Sequence, residues 1–154
     1  MSPVRFRLNG EPVAVGADGG RPLLAVLRHD LGLRAARFGC GTESCGACMV
    51  VVDGRPRFAC TLPLAALDGA EVTSPEGLAA HPAGRALLDA FRQEGAGQCG
   101  YCLSGILMSA FALLCADPAP SRAALLAALD PHLCRCGAHP GILRAVERAA
   151  GAPA

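Results

Sequence analysis

The chain has 154 residues, and 14 arginines set against 13 acidic side chains, with no lysine, leave a formal charge of +1. That balance provides no electrostatic footprint for nucleic acid or an acidic membrane surface. Hydrophobic residues make up 52% of the chain, enough to bury a core in one domain or two small ones. The longest apolar run, 103–116, is too short to cross a bilayer.

The opening Met-Ser-Pro-Val-Arg-Phe-Arg lacks the apolar stretch of a secretory signal. A soluble cytoplasmic protein is expected, unless a folded complex is exported on a partner's signal. In the cytoplasm, close cysteine pairs hold metal more often than they form disulfides.

Up to about residue 75 the signals are mostly β. Val4, Phe6 and Leu8 alternate with Arg5 and Arg7, and Asn9-Gly10 predicts a hairpin turn into 12–15. A helix follows from Pro22, with Leu23, Leu24, Val26, Leu27 and Leu31 on its apolar face and Gly32 to end it. The glycine-rich loop 38–48 leads into Met49-Val50-Val51-Val52, a second hairpin at Asp53-Gly54, and a return through Arg57 to Thr61. A last short strand fits 70–73. Hairpin, helix, loop, hairpin, strand is the order of a β-grasp ferredoxin.

After a linker at 74–82 the pattern turns helical. Segment 82–94 carries Leu87, Leu88 and Phe91 inward and ends at Gly95 and Gly97. Segment 103–115 is apolar on most sides and predicts a central helix. Ser121 is placed to cap a third helix, and Pro140 to start a fourth. The expected architecture is α+β: a β-grasp plant-type ferredoxin domain at 1–75, then a four-helix-bundle domain at 76–154.

Eight of the nine cysteines form two sets, Cys40, Cys45, Cys48 and Cys60, then Cys99, Cys102, Cys134 and Cys136. Four thiolates are the ligand set of a [2Fe–2S] cluster, and the x4, x2 spacing of the first set is the plant-type one. Structural zinc also takes four cysteines and is the main rival, most of all for the second set. Around an anionic cluster, Gly39, Gly41 and Gly46 allow tight wrapping that aims N–H groups inward, and Ser44 and Ala47 avoid crowding. For the second set, Cys102 opens one helix and Cys136-Gly137-Ala138 leads into another, so helix N-termini would stabilise thiolates.

Cys115 is expected as a buried small hydrophobe. Arg135 could balance cluster charge or lie solvated at the surface. His29, His81, His132 and His139 show no metal or triad spacing and are expected at the surface or as caps. No nucleophile–base set, phosphate loop or dinucleotide fingerprint is present, so the chain has no catalytic site of its own.

With these motifs the chain resembles the small iron–sulfur subunit of the molybdenum hydroxylases, the xanthine dehydrogenase and aldehyde oxidoreductase family. The matching stretches are FGCGTESCGAC at 38–48, Cys60, QCGYC at 98–102 and LCRCG at 133–137. The resemblance implies that Cys40, Cys45, Cys48 and Cys60 hold the cluster farther from molybdenum, and Cys99, Cys102, Cys134 and Cys136 the nearer one. It also implies that Gln98 and Cys136 approach molybdopterin, in its cytosine dinucleotide form, bound by a large partner subunit. That partner would hydroxylate an aldehyde or N-heterocycle, and the electrons would leave through the clusters to cytochrome c or an FAD subunit. Cys134-Arg-Cys-Gly-Ala-His-Pro departs from the CRCTGY of many flavin-linked members and looks like the isoquinoline and nicotinate oxidoreductase type. A free-standing two-cluster ferredoxin is the alternative function.

Overall fold

The computed structural model of the chain describes residues 3–16 and 18–151. Strand β1 (Val4–Leu8) pairs antiparallel with β2 (Glu11–Val15). Asn9 (φ 54°) and Gly10 (φ 87°) join them, two left-handed residues whose twist matches that of the strands. Phe6, Leu8 and Val15 point inward and Arg5 and Arg7 outward, as their alternation predicts.

The helix expected from Pro22 differs in detail. Pro22 is its N-cap, Leu23–Ala25 form one α-turn (α1), and Val26–Asp30 widen into a π-turn closed by Leu31 N–H on the Val26 carbonyl at 3.1 Å. Leu23, Leu24, Val26 and Leu27 are all buried in this arrangement. Gly32, at φ 70°, ends it.

Strand β3 (Met49–Val52) turns through Asp53 and Gly54 into antiparallel β4 (Arg55–Phe58). Strand β5 (Glu71–Thr73) inserts parallel to β1 and antiparallel to β3, giving the order β2-β1-β5-β3-β4. The run of four apolar residues in β3 follows from burial on both faces. Met49 and Val51 belong to the helical core, whereas Val50 and Val52 pack on the β-grasp side.

Segment 74–82, expected as the linker, is anchored at its start, while 79–82 face solvent. Ser74 is fully buried, its N–H donates to Asn9 Oδ1 at 2.9 Å, and Pro75–Ala80 form a 3-10 helix with Gly77 and Leu78 inside. Asn9 pins this connection to the first hairpin. A second 3-10 helix, Leu64–Leu67, had no clear sequence signal.

The helices are α2 (Pro82–Gln93), α3 (Leu103–Ala116), α4 (Arg122–Leu129) and α5 (His139–Ala150). Ser121 caps α4 as predicted, its Oγ accepting from Ala124 N–H at 3.1 Å. Helix α3 is central, with Ile106, Met108, Ala110, Phe111, Ala112 and Leu114 buried. Cys115 corrects the sequence expectation, because it is exposed. It continues the Met108, Phe111, Ala112 stripe at helical spacing, but the last turn projects past the core and residues 115–119 all face solvent.

Candidate metal centres

The first four cysteines meet at the end of the sheet where β3 begins and β4 ends. Met49 pairs with Phe58, so Cys48 and Cys60 flank one rung and both are buried. Loop 38–48 folds over them. Thr42 and Ser44 donate their N–H groups to Cys40 Sγ at 3.3 and 3.2 Å, and Cys40 N–H donates to Cys45 Sγ at 3.4 Å. A Cβ on Gly39 would stand 2.6 Å from Cys45 Sγ, so the loop closes on sulfur there only without a side chain. The two N–H groups, Thr42's first and then Ser44's, pull the Cys40 thiol down to about 6. Cys48 is pushed up to about 12, chiefly by burial and then by neighbouring Cys60. The outer rim therefore favours negative sulfur, while the inner edge is dry and needs a positive group before its thiol ionises.

The second set is built on helix ends. Cys102 is the N-cap of α3, and Cys134 and Cys136 precede the Ala138 N-cap of α5. Tyr101 N–H donates to Cys99 Sγ at 3.5 Å and Ala138 N–H to Cys134 Sγ at 3.3 Å. The Cys99 thiol is lowered, first by Tyr101 N–H and then by Cys136. Burial acts upward on Cys134, but the Ala138 N–H and the Cys102 thiol outweigh it and leave that thiol low. Cys102 is pushed up to about 12 by burial, reinforced by Cys134. These mutual influences place Cys99 beside Cys136 and Cys102 beside Cys134. Gln98 Nε2 donates to the Cys136 carbonyl at 3.4 Å, which brings the two residues implied to approach the pterin together.

Among the described residues, no three His, Cys, Asp or Glu side chains converge as closely as a single metal ion requires. A [2Fe–2S] cluster divides four thiolates between two irons and asks for a wider quartet. Each set offers four sulfurs, with backbone N–H groups aimed at Cys40 and Cys45 in the first and at Cys99 and Cys134 in the second. This donor set fits the two-iron group.

The two sets touch each other. Leu133 N–H donates to the Cys45 carbonyl at 3.1 Å, and Ser104 Oγ to the Ala47 carbonyl at 3.3 Å. A Cβ on Gly105 of α3 would lie 1.9 Å from the Gly46 carbonyl oxygen, so helix and loop are in backbone contact. His132 packs its ring against Gly46 and is buried, which corrects its expected surface position. His29, His81 and His139 are exposed, as is Arg135. Sequence reasoning missed Arg37, Tyr101 and the pairing of His132 with Ser109. The one available signal was Ser109, a hydroxyl inside an apolar helix that needs a partner.

Comparison with known proteins follows the same division. The model of the 2Fe-2S iron-sulfur cluster binding domain matches residues 6–80, and that of the [2Fe-2S] binding domain matches residues 74–147. The chain is 46% identical over 150 residues to a nicotinate dehydrogenase subunit from Pseudomonas putida, covering 97% of this chain and 96% of that protein. It is 44% identical over 151 residues to the alpha subunit of isoquinoline 1-oxidoreductase from Brevundimonas diminuta, covering 96% and 97%. The crystal structure of quinoline 2-oxidoreductase from Pseudomonas putida 86 matches with a TM-score of 0.89 at 32% identity, over 96% of this chain and 91% of that one.

Proposed function

Because the chain belongs to the family of [2Fe–2S] iron–sulfur subunits of the molybdenum hydroxylases, we propose how its residues serve electron transfer from a molybdopterin-binding large subunit to an outside acceptor. The observation that carries the reading is the direct contact of two four-cysteine sites through Leu133 N–H and the Cys45 carbonyl. When bound, the two clusters supply one-electron reduction and reoxidation.

The ligands are Cys40, Cys45, Cys48 and Cys60 at the far site and Cys99, Cys102, Cys134 and Cys136 at the near site. Thr42, Ser44, Tyr101 and Ala138 hold negative charge on sulfur through their N–H groups. Gln98 and Cys136 face the pterin of the partner, in its cytosine dinucleotide form, and the amide-to-carbonyl bond between them supports that placement. The outside acceptor is a cytochrome c or an FAD subunit. The substrate class is an aldehyde or an N-heterocycle. The domain boundary lies at 75/76, and the complex works in the cytoplasm. Among the described residues no helix is long and apolar enough to cross a membrane.

The rival, a free-standing two-cluster ferredoxin, is less supported, since the relatives matched end to end are named as subunits. Purification without air decides between them. The expected result is a complex with a large molybdenum-containing partner, iron and acid-labile sulfide for two clusters, and two distinguishable electron-spin signals on reduction. A lone monomer carrying both clusters would favour the rival, and a colourless zinc protein would sink both.

A further inference from the structure

Arg37 belongs by its backbone to one metal centre and by its head group to the other. Its N–H donates to the carbonyl of Ala47, between Cys45 and Cys48, at 3.1 Å. Its Nη1 donates to the carbonyl of Gly100, between Cys99 and Cys102, at 2.9 Å. The guanidinium carbon sits 5.1 Å from the centroid of the Tyr101 ring, and the Tyr101 hydroxyl donates back to the Phe38 carbonyl. A planar cation held by a hydrogen bond and an aromatic face has little freedom to turn away. Among the described residues no ion pair includes Arg37, so no carboxylate cancels its charge.

We propose that Arg37 is a positioning cation that raises the reduction potential of the site formed by Cys99, Cys102, Cys134 and Cys136. The inference rests on the ligand assignment above. Reduction adds one negative charge at that site, and a fixed positive charge beside it stabilises the reduced form. Arg37 is only half-exposed, which limits screening by salt. Arg37 itself takes neither electron nor proton, and each electron received at the near site is one electron passed to the far site. The sequence contains the device as an ordinary basic residue before Phe38-Gly39-Cys40, with nothing local to show that its head group reaches residue 100.

The test is a potential-controlled titration, followed by electron-spin resonance, of the complex purified with its large subunit. In Arg37→Gln, the reduction equilibrium at the near cluster is expected to fall about tenfold, ~59 mV for a one-electron couple. The far cluster should move by less than about a third of that, because the guanidinium is directed at the Gly100 loop. Arg37→Lys, which keeps the charge, should stay within about threefold of wild type at the near cluster. An unchanged near potential in Arg37→Gln, or an equal fall in Arg37→Lys, would overturn the inference while leaving the two-cluster function intact. Wild-type complex without a second cluster would overturn both. Where Arg37→Gln does not retain iron, Tyr101→Leu replaces it. Removing the ring beneath the guanidinium should shift the near potential in the same direction by a smaller amount, and no shift there rejects the proposal.

Discussion

His132 Nε2 lies 2.7 Å from Ser109 Oγ, joining the loop before Cys134 to the middle of the most buried helix. The other ring nitrogen, Nδ1, is buried without a partner and stands 2.2 Å from where a Cβ on Gly46 would be. Burial, aided by the charge of His139, pushes His132 down to about 4, so the ring is neutral at neutral pH. A neutral imidazole therefore wedges α3, the first thiol loop and the second thiol loop into one unit. Ser109→Ala would leave both ring nitrogens unpaired, at a cost of about 1–3 kcal/mol. For a chain of this size that lowers the unfolding temperature by roughly 2–4 °C per kcal/mol. Scanning calorimetry at one scan rate on cluster-loaded protein measures it, and an unchanged midpoint would mean the bond carries no stability.

The ligand sets separate cleanly enough to be tested one at a time. Cys48→Ser should abolish the far cluster and Cys102→Ser the near one, because the two sulfurs belong to different quartets. In each variant the iron content should halve, and one of the two low-temperature spin signals should survive unaltered in position. Loss of both signals from Cys102→Ser would show that the quartets are not independent. Cys48 is buried inside the β-grasp core, whereas Cys102 is only partly buried against the helical one, so the Cys48 variant should also be the less stable of the two.

The parts of this molecule readable in the sequence are those whose partners are close in the chain. The Asn9-Gly10 and Asp53-Gly54 turns, the Ser121 cap and the Cys40 to Cys48 loop are local devices, and each chemical requirement is written within a few residues. The far ends of the same sites depend on packing. Arg37 reaches Gly100 across 63 positions, and His132 reaches Ser109 across 23. Gly46 and Gly105 are needed because loop and helix touch through backbone, yet a glycine in sequence does not say what approaches it. The π-turn at 26–30 and the 3-10 segment at 75–80 were illegible for a related reason. Both are shaped by what packs against them, and that packing exists only after the chain has folded.

Cys115 provides a direct check on the helical domain. It is the one cysteine outside both sets, and it lies exposed at the end of α3. Partial burial of the sulfur raises its pKa, so the reactive thiolate is scarce at neutral pH and grows as pH rises. Iodoacetamide should therefore modify cluster-loaded protein once, slowly at about pH 7 and faster above about pH 9. Mass spectrometry should locate the label at residue 115, and Cys115→Ser should abolish it. A label persisting in that variant would mean that one of the eight remaining thiols is free of metal.

Glu94 closes α2 and receives two arginines from α5, the helix that follows Cys136. Arg148 Nη2 lies 2.6 Å from Glu94 Oε1, and Arg144 Nε lies 3.3 Å from Oε2. Arg148 acts first to hold the carboxyl below the usual carboxylate range; partial burial opposes it, and Arg144 adds to it. A folded-state value below the unfolded one means that the unfolded chain binds the proton more readily. The stabilisation is therefore present above the ordinary carboxylate range and is lost as pH falls through the folded value. Both arginines are more than half exposed, so salt should weaken the effect and its size should be small. Glu94→Gln should unfold at a lower temperature than wild type at pH 7, and the gap should close as the buffer is taken to about pH 3. Thermal unfolding followed by circular dichroism at a series of pH values reads this. A gap that stays constant over that range would show that Glu94 supports the α2–α5 contact through shape and hydrogen bonding alone, with its charge contributing nothing.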